Sequence, residues 1–377
     1  MDVVVVGAGI AGVGAARAAH RAGHRVRVLE RAPALRTGGY AIVLWPNGAA
    51  VLGDLGVDTS VVGHRLSALD AHDARGRALV EVDTARLERR LGGPTVCVRR
   101  SELIAHLAEG LPQEAFVFGA RVSGIEQDAG GVRVHTENGQ SLTADLVVGA
   151  DGVNSRVRTA VFGEGAAQAA PTGVATWQGL VRLPLELGSR SRMFMGRQGM
   201  VGLHPAGDGV VQWLIDLPWD RERSERDPVR ALAGLRERYS GWAEPVRTLL
   251  SILGPQDVEV FPHRRHPAPL CWNRGRVALV GDAAHAMSPV MALGAGQALE
   301  DVGALTEVLA ADPGGDGDPG AALERYGRGR ERRAVRAATI AQGAMATSDP
   351  PGAMRWLPSG ASTWMFERLL RGVSNRL

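Results

Sequence analysis

The sequence predicts an α/β protein in which a doubly wound domain is interrupted by a second, mostly antiparallel sheet. The first 30 residues read as apolar strand, small-residue helix and apolar strand, a pattern typical of a parallel sheet covered on both faces. Residues 172–265 instead carry short strands rich in Trp, Met and Val. Residues 277–310 return to a strand followed by a helix, so we expect the first domain to be discontinuous in sequence.

Hydrophobic periodicity places the individual elements. Strands are predicted at 3–6, 26–30, 122–125, 132–136, 146–149, 175–181, 193–195, 200–203, 210–215 and 277–280, and helices at 10–22, 101–109 and 294–310. Asn138 and Gly139 predict a tight hairpin turn, and Ser101 is a candidate helix cap. An exposed charged helix face is predicted for Arg328, Arg330, Arg332, Arg333 and Arg336, and core packing for Trp364, Phe366, Leu369, Leu370 and Val373.

Composition excludes several classes of protein. The chain has 377 residues, of which 45% are hydrophobic and 22% charged, so it can bury a sizeable core in two or three globular units. All 43 basic residues are arginine, and this absence of lysine excludes any mechanism built on a lysine. The arginines are spread along the chain and the formal net charge is only +3, so no nucleic-acid partner is expected.

Two cysteines and the lack of long apolar stretches bear on the compartment. Cys97 and Cys271 match no paired metal or redox spacing, so we expect no metal site and a reducing environment. No uninterrupted apolar stretch approaches about 20 residues, and the N-terminus carries no basic leader. We therefore expect a cytoplasmic protein without stable membrane association.

A glycine motif follows the first predicted strand. Gly7, Gly9 and Gly12 have the spacing G-x-G-x-x-G, with Ala11 inside it, and Glu30 ends the next strand 18 positions after Gly12. The glycines allow a tight turn, close approach of the backbone to a pyrophosphate and close packing of helix on strand, and the helix N-terminus attracts phosphate charge. A carboxylate at Glu30 would bond both ribose hydroxyls and repel a 2′-phosphate. The motif therefore predicts bound FAD or NAD, not NADP.

Two further motifs decide between these dinucleotides. Residues 145–158 read D-L-V-V-G-A-D-G-V-N-S-R-V-R, and residues 281–285 read G-D-A-A-H. Together with the first motif and in the same order, they resemble the motifs of the class A flavoprotein monooxygenases, the family of para-hydroxybenzoate and salicylate hydroxylases. Segments 39–48, 100–103, 177–180 and 213–218 also look like positions of this family, so the resemblance covers nearly the whole chain.

The resemblance implies a fold like that of para-hydroxybenzoate hydroxylase, with a Rossmann-like FAD-binding domain and an inserted substrate domain. The FAD-binding domain is then expected at 1–65, 96–171 and 272–377, the last part with C-terminal helices. The substrate domain is expected at 66–95 and 172–271. The cofactor implied is non-covalent FAD, with NAD(P)H as a transient reductant because the chain has only one glycine motif of this type.

The resemblance also assigns cofactor contacts. Glu30 would hold the adenosine ribose, Arg100 would lie along the pyrophosphate and ribityl chain, and Asp282 after Gly281 would bond ribityl hydroxyls. Arg31 and Arg36 are further candidates, with Arg36 on the adenine side. The segment at Asp151, Gly152 and Arg158 would serve both FAD and NAD(P)H binding, with Asp151 and Arg158 holding its shape.

Pro289 and Gly294 match the positions beside the flavin ring. Ala292 stands where the family usually has a glycine, and its methyl group can restrict how closely the backbone approaches the flavin. No catalytic base is named. His285 is predicted to be a hydrogen-bonded structural histidine.

The implied reaction uses NAD(P)H and O₂: the reduced flavin forms a C4a-hydroperoxide, which passes one oxygen atom to the substrate. Family members that act on small acids such as urate use an arginine on the substrate sheet. Residues 199–201 here read G-M-V, so a less polar aromatic or polycyclic small molecule is expected, as in natural-product tailoring. Arg197 is close to this segment, so a small acidic substrate stays an alternative. The candidate lining residues are broad and apolar: Tyr40, Trp45, Trp177, Met193, Met195, Met200, His204 and Trp213. The expected oligomeric state is a monomer or homodimer.

Alternative functions share parts of this pattern. Epoxidation or Baeyer–Villiger oxidation would use the same family chemistry. A reductase of the geranylgeranyl reductase type shares the FAD fold, and a non-catalytic FAD- and ligand-binding protein is the alternative outside enzymes. A flavin-dependent halogenase is excluded because it needs a lysine to relay hypohalous acid.

Overall fold

The structure is a computed structural model, and it describes residues 1–128, 130–163, 168–220, 227–266, 272–311, 318–345, 357 and 360–377. Cys271 lies outside the described residues. In chain order the strands are β1 (Asp2–Val6), β2 (Arg25–Glu30), β3 (Ala41–Leu44), β4 (Gly63–Arg65), β5 (Ala68–Asp73), β6 (Ala78–Asp83), β7 (Val96–Arg99), β8 (Phe116–Phe118), β9 (Val122–Asp128), β10 (Gly131–Thr136), β11 (Ser141–Ala144), β12 (Leu146–Gly149), β13 (Ala170–Arg182), β14 (Arg190–Gly196), β15 (Gly199–Pro205), β16 (Val210–Pro218), β17 (Glu259–Arg265), β18 (Asn273–Arg274) and β19 (Val277–Leu279).

The α-helices are α1 (Ile10–Arg21), α2 (Pro46–Asp54), α3 (Thr59–Val62), α4 (Thr84–Leu91), α5 (Arg100–Ala108), α6 (Arg156–Phe162), α7 (Pro228–Arg238), α8 (Glu244–Ile252), α9 (Asp282–His285), α10 (Gly294–Ala310), α11 (Pro319–Met345) and α12 (Ala361–Val373). Short 3₁₀ helices lie at Gln113–Ala115, Pro255–Asp257 and Pro289–Met291. Helix α5 begins at Arg100, so Ser101 lies inside the helix and is not its cap, and Arg99 occupies the N-cap position.

A parallel sheet forms the centre of the first unit. Its strand order is β18-β19-β12-β1-β2-β8, and every pair is parallel except β18 with β19. The β-branched run of β1 is almost fully buried, and β12 has four buried residues, as expected for strands covered on both faces. In the sheet, β12 lies beside β1 and β19 lies beside β12, so distant parts of the chain return to the same sheet twice. The predicted discontinuous, doubly wound arrangement is confirmed.

A seven-stranded sheet forms the second unit. Its order is β17-β13-β16-β15-β14-β5-β6, and its pairs are antiparallel except β14 with β5. The strands are longer than their apolar patterns predicted, because β13 and β16 also pair through polar and proline residues at their ends. Two smaller sheets have the orders β3-β7-β4 and β11-β10-β9. The hairpin predicted at Asn138 and Gly139 joins β10 to β11, with Gly139 at φ +83°.

The two faces of the seven-stranded sheet have different surroundings. On one face Trp213 and Ile215 are fully buried in an apolar cluster with Leu232 of α7 and Leu249 of α8. The other face is turned to the FAD-domain elements, since the side-chain amide of Gln212 accepts a hydrogen bond from the backbone N–H of Ala41 at 2.8 Å. We call this second face the open face, because several of its side chains are only half-buried.

The C-terminal helix corrects one sequence expectation. Leu370 and Val373 are buried, as predicted, but Trp364 is 50% exposed and its ring lies 5.1 Å from the guanidinium of Arg368. The turn of the helix that packs inward instead carries Thr363, whose hydroxyl accepts the backbone N–H of Asp83 at 2.9 Å. Helix α12 therefore docks on β6 through a polar contact that apolar spacing does not reveal.

Arg330 contradicts the prediction of an exposed charged face. Its side chain is completely buried, although Arg328, Arg332 and Arg336 on the same helix are exposed. A helix turns 100° per residue, so Arg330 shares the inward stripe of α11 with Leu323 and Tyr326, which are also buried. The side chain is held there by carboxylates of α10.

Among the helices that the structure describes, none is both long and apolar enough to cross a membrane.

Arg17 joins the ends of two helices. Its guanidinium donates to the backbone carbonyl of Leu55 after α2 at 2.7 Å and to those of His106 and Leu107 in α5 at 3.2 and 3.3 Å, and it also donates to that of Glu109. The last carbonyls of a helix lack intrahelical partners and carry partial negative charge.

We expect Arg17→Met to lower stability by about 1–2 kcal/mol. Thermal unfolding should show a loss absent from Arg89→Met, at an exposed arginine of α4; equal melting temperatures for the two variants would contradict this role.

Candidate active site

The first glycine motif forms a tight turn between β1 and α1. Gly7 has φ +103°, and a Cβ at this position would lie 2.5 Å from the carbonyl oxygen of Ala150. A Cβ on Gly12 would lie 1.9 Å from the carbonyl oxygen of Gly7. A Cβ on Gly9 would meet no atom within 4 Å. The chain is therefore packed tightly on both sides of Gly9 and leaves open space at the N-terminus of α1, where a phosphate would approach.

Glu30 is fixed at the end of β2 by two backbone donors. Its Oε2 accepts the N–H of Ala8 at 2.7 Å and its Oε1 accepts the N–H of Ala32 at 2.8 Å. Each carboxylate oxygen keeps a second lone pair, which is free to accept a ribose hydroxyl. Arg31 is exposed beside it. The acid therefore stands next to the glycine turn and keeps acceptor capacity for a ribose.

Arg100 lies close enough to Arg36 and Asp282 for their charges to affect its pKa. Burial lowers the pKa of the Arg100 guanidinium, the carboxylate of Asp282 raises it and the charge of Arg36 lowers it again. The Nε of Arg100 is buried and has no hydrogen-bond partner among the described residues. A buried guanidinium donor without a partner is costly, and a phosphate or a ribityl oxygen would satisfy it. With the open space at Gly9, this orphaned donor shows that the residues present fit FAD.

The segment after β12 is held by side-chain contacts of its own. Asp151 Oδ2 accepts the backbone N–H of Arg156 at 2.7 Å and that of Val157 at 3.2 Å. Burial raises the pKa of this carboxyl above its usual value, although the hydrogen bonds act in the opposite direction. Gly152 has φ +82°. Arg158 is buried, and its Nη1 donates to the carbonyls of Ala283 and Ala284 at 3.1 and 2.9 Å. Arg158 thereby joins the 151–158 segment to helix α9.

A buried ionic cluster supports the turn at Gly281. Asp301 Oδ2 accepts the backbone N–H of Gly281 at 2.8 Å and lies 2.5 Å from Nε2 of His285. Arg330 donates to Asp301 at 2.9 Å and to Glu300 at 2.8 Å, and all three side chains are buried. Burial by itself would raise the pKa of Asp301, but the charges of His285 and Arg330 lower it below its usual value. His285 is a buried partner of a carboxylate, in agreement with its structural interpretation.

The turn before α10 holds an alanine in a left-handed conformation. Ala292 has φ +51°, and its N–H donates to the carbonyl of Pro289 at 2.8 Å. The conformation costs about 1–2 kcal/mol for a residue with a Cβ, so the loop keeps its turn at a cost that glycine would avoid. Pro289 is exposed at the start of this turn and Gly294 begins α10. The Ala292 methyl is therefore built into the loop that the family resemblance places beside the flavin.

Trp45 packs against that turn and donates a hydrogen bond to it. It is 3% exposed, its indole N–H donates to the carbonyl of Met291 at 3.0 Å, and its ring lies 4.5 Å from that of Phe366. The side chain is therefore buried between the turn and α12, and its role as a lining residue stays a prediction.

Strand pairing sorts the remaining lining candidates by face. Directly paired residues of antiparallel strands point to the same face. Gln212 pairs with His204 and Met200 pairs with Met195, while a Cβ on Gly202 would lie 3.0 Å from atoms of His204, Leu214 and Met193. The candidates on the open face are therefore Met193, Met195, Met200 and His204.

Trp177 and Trp213 lie on the opposite face. Trp177 pairs with Ile215, and both tryptophans belong to the apolar cluster under α7 and α8. The structure gives no support to their prediction as lining residues, because alternation along β16 buries Val211, Trp213 and Ile215 on that side. We expect Trp213→Phe to lower stability by about 1–2 kcal/mol and to leave ligand selectivity unchanged. Thermal unfolding and flavin difference spectra measure the two effects; altered selectivity would return Trp213 to the substrate site.

Tyr40 connects the cofactor residues to the open face. Its carbonyl accepts the backbone N–H of Arg100 at 2.9 Å, and the next residue, Ala41, donates to Gln212. The Tyr40 hydroxyl is buried and without a hydrogen-bond partner among the described residues. Tyr40 therefore lies where the backbone passes from Arg100 to the open face, at the edge of the candidate substrate space.

Sequence reasoning missed three polar residues of the open face, which are Gln212, Asp216 and Thr176. Gln212, Leu214 and Asp216 alternate along β16 with its buried apolar residues, and Thr176 pairs with Asp216. The period-two alternation of β16 was the available signal, and it would also have placed Trp213 in the core. Arg330 had a comparable signal, because it follows Tyr326 by four positions on a helix.

Comparisons with known proteins agree with this architecture. The profile of the FAD binding domain family matches residues 1–341. The FAD-dependent urate hydroxylase of Klebsiella pneumoniae is 33% identical over 323 residues, 82% of this chain and 81% of that protein. The 6-hydroxynicotinate 3-monooxygenase of Bordetella bronchiseptica is 30% identical over 349 residues, 89% of this chain and 88% of that protein.

A solved structure extends the similarity to the whole fold. The crystal structure of Klebsiella pneumoniae HpxO complexed with FAD and uric acid superimposes with a TM-score of 0.91 at 28% identity, covering 99% of this chain and 97% of that one. The glycine turn, Glu30, Arg100 and Asp282 all lie within the residues that the FAD binding domain family matches. The chain belongs to the FAD-binding family of class A flavoprotein monooxygenases, whose members hydroxylate aromatic compounds.

Proposed function

We propose that this FAD-dependent monooxygenase takes its electrons from NADH or NADPH and hydroxylates an apolar aromatic or polycyclic small molecule. The observation that carries the proposal is the composition of the open face. Its centre is formed by Met193, Met195, Met200 and Leu214, and residues 199–203 contain no charged side chain. Methionine side chains are flexible and polarizable, so they suit broad, apolar rings.

The histidine on this face adds no positive charge. Burial lowers the pKa of His204 to about 4, so the ring is neutral at physiological pH. Its Nδ1 is hydrogen-bonded to the Ser191 hydroxyl. An anionic substrate therefore finds no cation at the centre of the open face, which supports a neutral substrate rather than a small acid such as the uric acid bound by the HpxO relative.

Each cofactor residue has a role in this proposal. Glu30 would bond the adenosine ribose, the N-terminus of α1 and Arg100 would hold the pyrophosphate, and Asp282 would bond the ribityl chain. The segment at Asp151, Gly152 and Arg158 would serve FAD and NAD(P)H together. When bound, FAD supplies the electron transfer and the oxygen activation. Tyr40 and the open face would hold the substrate ring and exclude water from it.

The first experiment follows the flavin spectrum of the purified protein under anaerobic conditions. NADH or NADPH is added with and without matched panels of neutral polycyclic arenes and small aromatic acids. We expect yellow protein whose flavin is reduced faster in the presence of a neutral compound. Oxygen uptake coupled to a hydroxylated product then separates a monooxygenase from a reductase.

Two outcomes would contradict the proposal. Acceleration only by the small acids would overturn the apolar substrate. Flavin that neither nicotinamide reduces, with any compound of either panel, would overturn the use of NAD(P)H and favour another electron donor. The domain assignment 1–65, 96–171 and 272–377 against 66–95 and 172–271 is proposed alongside, and limited proteolysis of the FAD-loaded protein tests its boundaries.

A further inference from the structure

The open face carries one carboxyl group at the edge of its methionine cluster. Asp216 pairs directly with Met200 of β15 on one side and with Thr176 of β13 on the other. The three side chains therefore share one face of the sheet. The side chain of Asp216 is 11% exposed, and its neighbour on the β15 side is the apolar Met200. A carboxyl group in such a place costs free energy unless it has partners.

Two side chains fix one oxygen of this carboxyl. The Thr176 hydroxyl lies 2.5 Å from Asp216 Oδ1 and also 2.5 Å from Nε2 of His263 on β17. His263 and Thr176 are both buried, at 1% and 4% exposure. A carboxylate can only accept, so Thr176 donates to Asp216 and accepts from the Nε2–H of His263. The two hydrogen bonds therefore run in one direction, from His263 to Thr176 and from Thr176 to Asp216.

The second carboxyl oxygen has no protein partner. Asp216 Oδ2 makes no hydrogen bond among the described residues, and it is not fully buried. A partly accessible acceptor beside Met200 is complementary to a hydrogen-bond donor on a molecule lying over the methionines. Two side chains, Thr176 and His263, hold the carboxyl in this orientation, although the sheet pairing would be satisfied by apolar side chains.

We propose that Asp216 determines specificity by accepting a hydrogen bond through Oδ2 from a hydroxyl or N–H group of the substrate, and that Thr176 and His263 are positioning residues for it. This inference rests on the proposed function and deepens it. The substrate class becomes an apolar, neutral ring system that carries a hydrogen-bond donor at one end. A carboxylate at this position also disfavours acidic substrates by repulsion.

The charged state of the carboxyl agrees with this role. Burial raises the pKa of Asp216 to about 6, and the bond from Thr176 lowers it, so the group is mostly ionised at neutral pH. The titratable groups that interact with it among the described residues are His263 on β17 and Tyr239, which directly follows α7. Burial lowers the pKa of His263 to about 4 and raises that of Tyr239, so neither titrates near neutral pH.

The test measures binding and needs no turnover. The FAD-loaded protein is titrated with paired probes, 2-naphthol against 2-methoxynaphthalene, and the flavin difference spectrum gives each Kd. We expect the wild-type protein to prefer the hydroxyl probe by roughly 10- to 100-fold, the range for a hydrogen bond to an ionised acceptor. Asp216→Asn should lose or reverse this preference, because the amide can turn a donor toward the ligand, while the Kd of the methoxy probe stays within about 3-fold.

The pH dependence is a second readout. The hydroxyl preference of the wild type should fall as the pH drops through about 6, where the carboxylate is protonated, and should be flat in Asp216→Asn. Thr176→Val should weaken the preference and Thr176→Ser should restore it, which separates positioning from a merely structural role. Asp208→Asn is the matched control, because Asp208 is an exposed aspartate in the turn between β15 and β16.

Each outcome decides the proposal. Equal affinity of the wild type for both probes, no binding of either, or a preference that survives Asp216→Asn would overturn it. If Asp216→Asn does not fold, the Thr176 pair carries the test, and a Thr176→Val variant with an unchanged preference rejects the positioning role. Retention of the hydroxyl preference without any NAD(P)H-dependent product would contradict the proposed function and leave this inference standing.

Discussion

Replacing Arg330 with methionine is expected to destabilise the protein by about 3–5 kcal/mol. The guanidinium is completely buried and neutralises Asp301 and Glu300, which are buried as well. Methionine has a similar length but leaves both carboxylates without a countercharge on that side. Breaking a buried ion pair by removing one partner costs the desolvation of the other. The melting temperature of the FAD-loaded protein should fall by about 4–6 °C.

The pH dependence identifies the cause. The pKa of Asp301 is depressed in the folded protein, so its contribution to stability is present above its unfolded pKa and is lost as the pH falls through the folded value. In Arg330→Met burial raises that pKa, and protonation on acidification relieves the unpaired charge. The loss of stability in Arg330→Met, relative to the wild type, should therefore be larger at pH 7 than at pH 5.

Arg328→Met is the control for this experiment. Arg328 is on the same helix, is 76% exposed and pairs with Glu324, so its loss should change stability by less than about 1 kcal/mol. Similar melting temperatures for both variants would show that the cluster under Gly281 contributes little. Because Asp301 also holds the N–H of Gly281, we expect the Arg330 variant to bind FAD more weakly than the control.

Gly12→Ala is expected to abolish tight FAD binding. Its Cβ would lie 1.9 Å from the carbonyl oxygen of Gly7, so β1 and α1 must separate. This movement displaces the backbone N–H groups at the start of α1 that would hold the pyrophosphate. Overpacking against backbone costs at least about 2 kcal/mol, so the Kd for FAD should rise roughly 30-fold or more. Flavin absorbance after gel filtration and fluorescence titration of the apoprotein measure the change.

Gly9→Ala distinguishes the two roles of glycine in this turn. A Cβ at Gly9 meets no protein atom within 4 Å, so the apoprotein should melt as the wild type does. FAD binding should still weaken, because the methyl group occupies the space through which the pyrophosphate approaches the backbone. Wild-type FAD affinity in Gly12→Ala would refute the packing argument. A destabilised Gly9→Ala apoprotein would show that the space is not open.

The sequence by itself determined the fold class and the cofactor. Local patterns were sufficient there, because the β-branched β1, the glycines before α1 and Glu30 at the end of β2 are all close in the chain. Turn geometry, helix N-terminal charge and ribose recognition depend on residues at short spacing. The return of the chain to the same sheet at β12 and β19 was readable from two further motifs for the same reason.

Only the tertiary structure decided which face of the seven-stranded sheet is covered by helices and which is the open face. Trp213 and Asp216 are three residues apart on β16, yet one is fully buried under α7 and α8 and the other lies on the open face. Hydrophobicity alone favoured the tryptophan, but the direction of a strand residue depends on which face its sheet turns to the cofactor. Arg330 is similar, because its carboxylate partners come from another helix, 29 and 30 residues away. Long-range partners of this kind are set by packing and leave only weak traces in sequence spacing.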